Sequence, residues 1–280
     1  MDDLWKTLWW GGLGLYFVQG GMKPWAERSA VRQVRESFHE GELTAKVASR
    51  GMLGMLVSDI YSVDIYGSGV RVDKIPFDLH PKEGWKGRIR HLRLHLTDFQ
   101  MAGLPVSRME GDIPFAKYDL GYAFNKQRLY LRSAEAGTAS VYLTAENALV
   151  FVQRKFKENL QDGRVFLIND RVIMMGKIRL FGGMQPFYAE ARVAVRGGRY
   201  IDLVEPTVFL SDTLLPPPVA KNILKQLNPV IDTDIDLRLK GLFEPQKIAI
   251  SDGIVRVEGK LTVPLAEPGP RPPSIERVSP

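Results

Sequence analysis

From residue 42 onward, apolar and polar residues alternate with period two over most of the chain, the mark of strands with one dry and one wet face. Leu92, Leu94 and Leu96 alternate with His91, Arg93 and His95. Phe187, Ala189, Ala191, Val193 and Val195 alternate with Tyr188, Glu190, Arg192, Ala194 and Arg196, and Val255, Val257, Gly259, Leu261 and Val263 with Arg256, Glu258, Lys260 and Thr262. The pairs Asn169-Asp170, Gly182-Gly183, Gly197-Gly198 and Asp252-Gly253 separate such runs, and they are the short turns that join antiparallel hairpins. The pattern predicts a mainly antiparallel, locally wound sheet.

Three segments switch to helical period. Pro24 to Glu42 puts Ala26, Ala30, Val34 and Phe38 on one stripe, with Gly41 as the stop and a solvated face of Glu27, Arg28, Arg32, Arg35 and Glu36. Glu146 to Leu160 aligns Leu149, Val152, Phe156 and Leu160, with Thr144 placed to cap it. Pro217 to Leu227 aligns Val219, Ile223 and Leu227 and stops at Asn228-Pro229. A few helices set into a long meander predict an α+β fold, with a long curved sheet wrapped around the helices.

The ends differ from the middle. Thr7 to Met22 carries no charge and is rich in aromatic residues, and Trp5, Trp9, Trp10 and Trp25 suit the headgroup zone of a bilayer. Sixteen uncharged residues fall short of the ~20 that span a membrane, and Gly11, Gly12, Gly14, Gly20 and Gly21 weaken the run as a helix. Residues 1–24 therefore read as a membrane-associated or signal-like segment; a buried N-terminal helix is the alternative. The last 17 residues hold six prolines, which predicts a disordered tail over 265–280. Between them, no Pro-rich or Gly-rich linker divides 25–264, which read as one domain.

Composition removes several kinds of chemistry. The 280-residue chain has no cysteine, which excludes disulfides, thiolate metal sites and a cysteine nucleophile. Its 38 basic against 32 acidic side chains give a net charge of +6, a mild preference for anionic partners. No run of like charge marks a nucleic-acid surface, so none is expected as partner. There is no phosphate-binding glycine loop, nucleophile elbow or zinc-protease helix. His91 and His95 share a strand face but lie ~13 Å apart, too far for one metal. Asp232, Asp234 and Asp236 begin like a calcium loop, but Leu237 and Phe243 stand where its glycine and glutamate belong, so they read as the wet face of a strand. Arg108-Met109-Glu110-Gly111 matches Arg256-Val257-Glu258-Gly259, a weak repeat of the kind that similar strand ends produce without duplication. No catalytic residue, metal site or cofactor is expected, and the chain reads as a non-enzyme.

The C-terminal third carries a resemblance. Leu-Asn-Pro-Val-Ile-Asp at 227–232, an alternating stretch, then Ile-Ala-Ile-Ser-Asp-Gly-Ile-Val-Arg-Val-Glu-Gly-Lys-Leu at 248–261 resemble the close of the LmeA-type phospholipid-binding family of bacterial envelope proteins. The apolar segment before an Arg-rich helix, the strand over 60–72, and the helix near Leu149 follow that family's order. The resemblance implies an elongated, tubular lipid-binding (TULIP-like) architecture with a groove for acyl chains. It also implies a non-enzymatic function in phospholipid binding or transfer at the bacterial cell envelope, on a membrane facing the periplasm or exterior. On that reading Leu149, Val152, Phe156, Val219, Ile223 and Leu227 line the groove, Trp5, Trp9, Trp10 and Trp25 meet the membrane surface, and phospholipid is the partner. A filled core has the same pattern as a groove, so an envelope scaffold with a closed core is the alternative. A hydrolase or transferase would need a site that no motif reveals.

Overall fold

The alternating stretches form two sheets whose dry faces meet. The structure is a computed structural model that describes residues 23–49, 59–72, 74, 76–80, 86–119, 121–123, 129–155, 160–180 and 183–266. Helix α1 (Lys23–Arg35) leads into the first sheet: β1 (Phe38–His39), β2 (Glu42–Ser49), β3 (Asp59–Ser68), β4 (Arg71–Val72), β5 (Lys86–Met101), β6 (Leu104–Asp119), β7 (Leu131–Ser133) and β8 (Gly137–Thr144). Helix α2 (Ala145–Lys155) follows, then the second sheet of β9 (Leu160–Ile168), β10 (Arg171–Leu180), β11 (Gly183–Arg196), β12 (Tyr200–Leu210), β13 (Thr213–Leu214) and, after helix α3 (Pro217–Leu227), β14 (Ile231–Asp232). The chain then returns to the first sheet with β15 (Phe243–Ser251) and β16 (Ile254–Leu261).

The first sheet runs β1-β4-β5-β6-β8-β16-β15, with β2-β3 also joined to β5 and β7 to β6; the second runs β13-β12-β11-β10-β9, with β14 on β12. Pairing is antiparallel except that β3 and β4 run parallel to β5. Successive strands joined by tight hairpins explain the antiparallel majority. Asp252 and Gly253 both take positive φ, as do Gly197 and Gly198, the geometry whose twist matches that of the strands it joins. The β-rich α+β class expected from the pattern is what the chain adopts.

The strand faces fall as the alternation predicts. Leu92 and Leu96 are buried while His91, Arg93 and His95 are half-exposed, and Val255, Val257, Leu261 and Val263 are buried between exposed or half-exposed neighbours. One continuous apolar cluster runs from Val34 of α1 through the first sheet to Val165, Leu167 and Leu203 of the second.

Helix bounds depart from the periodicity. The first helix ends at Arg35, not near Gly41, because Phe38, on the expected stripe, is fully buried as a strand residue paired opposite Val72. Gly41 serves instead in the β1–β2 turn, at φ +58°, where any Cβ would lie 2.4 Å from the Ser68 carbonyl oxygen. The second helix stops at Lys155, and Leu160 opens β9. Its start is capped reciprocally: the Asn147 amide donates to Thr144 Oγ1 at 3.3 Å, and the Thr144 amide to Asn147 Oδ1 at 3.1 Å. The third helix has the expected bounds, with proline in its first turn.

The strand expected from Asp232 to Lys240 does not form. Residues 233–236 are a turn, Ile235 is 69% exposed, and Asp232 is buried. A buried carboxylate must find donors, and Asp232 finds the Arg199 guanidinium, at 2.8 and 2.6 Å, and the amides of Asp234 and Ile235. That set of bonds folds the chain back on itself and leaves no extended ladder.

At the C-terminal end, Leu265 bridges to Leu79, and the Ala266 amide donates to the Leu79 carbonyl at 2.9 Å. Residues 265 and 266 thus belong to the fold and not to the tail.

Candidate functional site: an apolar seam between the sheets

The sheets close on each other through β15, which packs against β11 and β9, and α2 fills the side between them. Where they meet, the interior is incompletely packed. A void of about 70 Å³ lies among Phe151 and Val152 of α2, Val165 of β9, Ile201 of β12, Leu227 of α3 and Val255 of β16. A second, of about 30 Å³, adjoins it. The two share Leu143, Phe151, Ile201, Ile231 and Val257 as walls, of which Phe151 is the largest.

Every side chain around the larger void is apolar. Thr233 reaches the smaller one, but its hydroxyl donates to the Arg199 carbonyl at 3.0 Å. With no polar partner, a water there would lose most of its hydrogen bonds, so such spaces stay dry. Among the described residues no titratable side chain lines either void. Among the described residues no group of three His, Asp or Glu is placed to hold a metal, and no helix is long and apolar enough to cross a membrane.

The predicted groove residues divide. Val152 and Leu227 line the larger void. Leu149 is half-buried against the core beside it. Val219 is 44% exposed and Ile223 half-exposed, and neither lines a void. The dry face of α3 is Ala220, Leu224 and Leu227, rotated by one residue from the expected stripe. Ala220 has only a methyl side chain, so it seats closely against Ala189 and Val208, and a β-branched Val219 could not approach as closely. Phe156 lies outside the described residues, as do Trp5, Trp9 and Trp10; Trp25 falls within α1.

The pattern overlooked Phe151, the largest of the five residues common to both voids. Its signal was present in the Ala148, Phe151, Val152 spacing, one position off the Leu149 stripe. Also overlooked was a clasp at the seam's end, which joins Asn228, Val230 and Asp232 to β12 and the turn before it. The Asn228 side chain copies a strand: Oδ1 accepts from the Leu203 amide and Nδ2 donates to the Leu203 carbonyl, both at 2.8 Å. The Val230 amide donates to the Ile201 carbonyl at 2.9 Å. Asp232 holds Arg199, whose bond is the main cause of an Asp232 carboxyl well below its ordinary range. This clasp ties α3 to β12 and fixes Leu227 and Ile231 at the void.

A second buried pair, Asp119 with Arg132, stands at the far end of β6. The Tyr122 amide, together with Arg132, holds the Asp119 carboxyl below its usual range. Burial pushes the neighbouring Tyr118 hydroxyl up to about 12.

No family model, curated protein or solved structure matches the chain. The seam must therefore be interpreted from its own chemistry.

Proposed function

We propose that the chain binds phospholipid at the bacterial envelope, with acyl chains lying in the seam between the sheets, and that it catalyses no reaction. The observation that supports this reading is the pair of adjoining voids, the larger with wholly apolar walls and the smaller apolar but for Thr233, where the two sheets meet α2 and α3. Each methylene taken from water into such a place contributes about 0.8 kcal/mol. The resemblance of residues 227–261 to the LmeA-type family, and the tubular architecture it implies, point the same way. So does the Trp-rich segment ahead of α1, which would hold the protein at a membrane.

The size of the voids supports a second reading. An engineered void of about 150 Å³ is known to admit benzene, and the larger one here is about 70 Å³. An acyl chain would enter only if α2 or α3 moved away from the sheets. A scaffold with a closed core needs no such movement.

Extraction of purified protein followed by lipid mass spectrometry separates the two. Phospholipid recovered in stoichiometric amount supports the binding reading. Protein that carries no lipid, and that takes up no fluorescent phospholipid from vesicles, rejects it in favour of the scaffold.

A further inference from the structure

The outer face of the second sheet carries large apolar residues that are exposed. Phe166 and Ile168 of β9 are 40% and 49% exposed, and Met175 of β10 is 41% exposed. Register makes them one patch: Ile173 sits opposite Phe166 and Met175 opposite Tyr188. The Tyr188 ring meets Phe209 edge-on at 5.8 Å. The alternate residues of the same strands, Val165, Leu167, Val172 and Met174, point the other way and wall the larger void. A one-sided antiparallel sheet ordinarily shows polar residues to solvent, and contiguous exposed apolar surface marks a place of interaction.

The charges around the patch do not balance. Arg171 pairs with Glu190 at 3.1 Å, Lys177 with Asp162 at 3.2 Å and Arg192 with Asp170 at 3.3 Å. Arg164, opposite Met175, and Arg179, further along β10, have no ion-pair partner among the described residues. Glu205 also pairs with Arg192, at 3.6 Å, so these five cations exceed the four carboxylates by one charge, and Arg164 and Arg179 stand at the border of the apolar surface.

We infer that this face docks on an anionic bilayer, with Phe166, Ile168 and Met175 entering the headgroup zone and Arg164 and Arg179 on lipid phosphates. Aromatic and aliphatic tips suit that depth, and guanidinium groups give phosphates paired, charge-assisted hydrogen bonds. A second copy of the chain fits less well. A two-fold pairing of the face with itself would bring together two borders of the same net positive charge. The inference deepens the lipid-binding reading, on which it rests for its partner, by setting the β9 and β10 walls of the seam against the membrane.

The full chain has no cysteine, so one introduced thiol can carry a polarity-sensitive fluorophore. Ile168→Cys and, separately, Met175→Cys sit on the proposed face; Tyr66→Cys, exposed on the outer face of the first sheet, is the control. With vesicles of phosphatidylglycerol and phosphatidylcholine, the labels at 168 and 175 should shift to the blue and the label at 66 should not. Adding Arg164→Glu and Arg179→Glu should raise the amount of vesicle needed by roughly thirtyfold or more. Four results would overturn the inference: no shift at 168 and 175, an equal shift at 66, an equal shift with phosphatidylcholine alone, or a shift that grows with protein concentration without vesicles. The last would identify a second copy as the occupant. Lipid extraction on the same preparation keeps the two proposals apart. A shift without extractable lipid leaves the docking face standing and removes the seam reading, whereas extractable lipid without a shift does the reverse.

Discussion

Phe151→Ala tests the seam most directly, because Phe151 is the largest of the five side chains that line both voids and is 7% exposed. Removing the ring adds its volume to a seam that already holds voids of about 70 and 30 Å³. Truncations of this kind at packed sites cost about 3–5 kcal/mol. For a domain of this size each kcal/mol moves the melting temperature by about 2–4 °C, so the ligand-free variant should melt roughly 6–20 °C below the parent. A ligand that fills the enlarged seam restores part of the loss. At a concentration 100 times its Kd it stabilises by about 2.7 kcal/mol, or roughly 5–11 °C. The assay is thermal unfolding followed by circular dichroism, with and without a short-chain phospholipid below its micelle concentration. The expected result is a large drop for the variant, and a lipid-dependent recovery larger than in the parent. A drop under about 2 °C would refute the packing argument. A full drop with no recovery, in a parent that also ignores lipid, would refute the acyl site and leave a closed core.

Val152→Trp should act oppositely, since an indole overfills the space beside Val152: lipid-dependent stabilisation disappears, and overpacking costs about 1–3 kcal/mol in urea unfolding. Thr144→Ala removes the cap on α2 and should lower unfolding free energy by about 1 kcal/mol. Gly259→Ala would place a Cβ 2.3 Å from the Glu244 carbonyl oxygen and should destabilise by about 1–3 kcal/mol, whereas Val219→Ser, on the exposed face of α3, should stay within about 0.5 kcal/mol. Acid should act through Asp232. Its folded carboxyl titrates below the ordinary value, so its stabilisation is complete above the unfolded value of about 3.9 and is lost as pH falls through the lower folded value. Asp232→Asn should therefore flatten the decline in melting temperature below about pH 4; an unchanged acid limb would show that the clasp does not contribute.

Period-two alternation was a reliable guide wherever one strand face is buried and the other wet, as in β5 and β16. The side-chain period of a strand is two whatever its neighbours are, so the pattern needs no tertiary knowledge. It misled at Asp232–Lys240, where Ile235, Leu237 and Leu239 also alternate. There the polar members found closer partners: Asp232 binds Arg199, 33 positions away, and two amides of its own turn. Helix faces were less legible still. An apolar stripe one residue to either side of the true one scores about equally, and the choice is made by what the helix rests on. For α3 that surface is β12, and Ala220 fits against it where Val219 does not. The seam could not be located from sequence at all, because Val165 and Val172 look the same whether they meet a void or a neighbour.

The repeated Arg-x-Glu-Gly tetrapeptide shows how a shared environment can imprint a shared sequence. The two copies lie on β6 and β16, the strands that flank β8, and in the same register. Tyr142 is opposite Arg108 on one side and Arg256 on the other, Ser140 opposite Glu110 and Glu258, and Ala139 opposite Gly111 and Gly259. On the wet face the Tyr142 ring lies between the two guanidinium groups, 5.4 and 5.6 Å from its centre, and each arginine is held by the glutamate two residues on. On the dry face Met109 and Val257 flank Val141 and wall the smaller void. The glycines answer close packing: a Cβ at Gly111 would press on Leu261 at 3.3 Å, and one at Gly259 would strike the Phe243 ring at 2.8 Å. Cross-strand pairs are the unit that stabilises a sheet, and a central strand that presents the same residues to both neighbours asks the same of each. Symmetry about β8 therefore accounts for the tetrapeptides without an ancestral duplication.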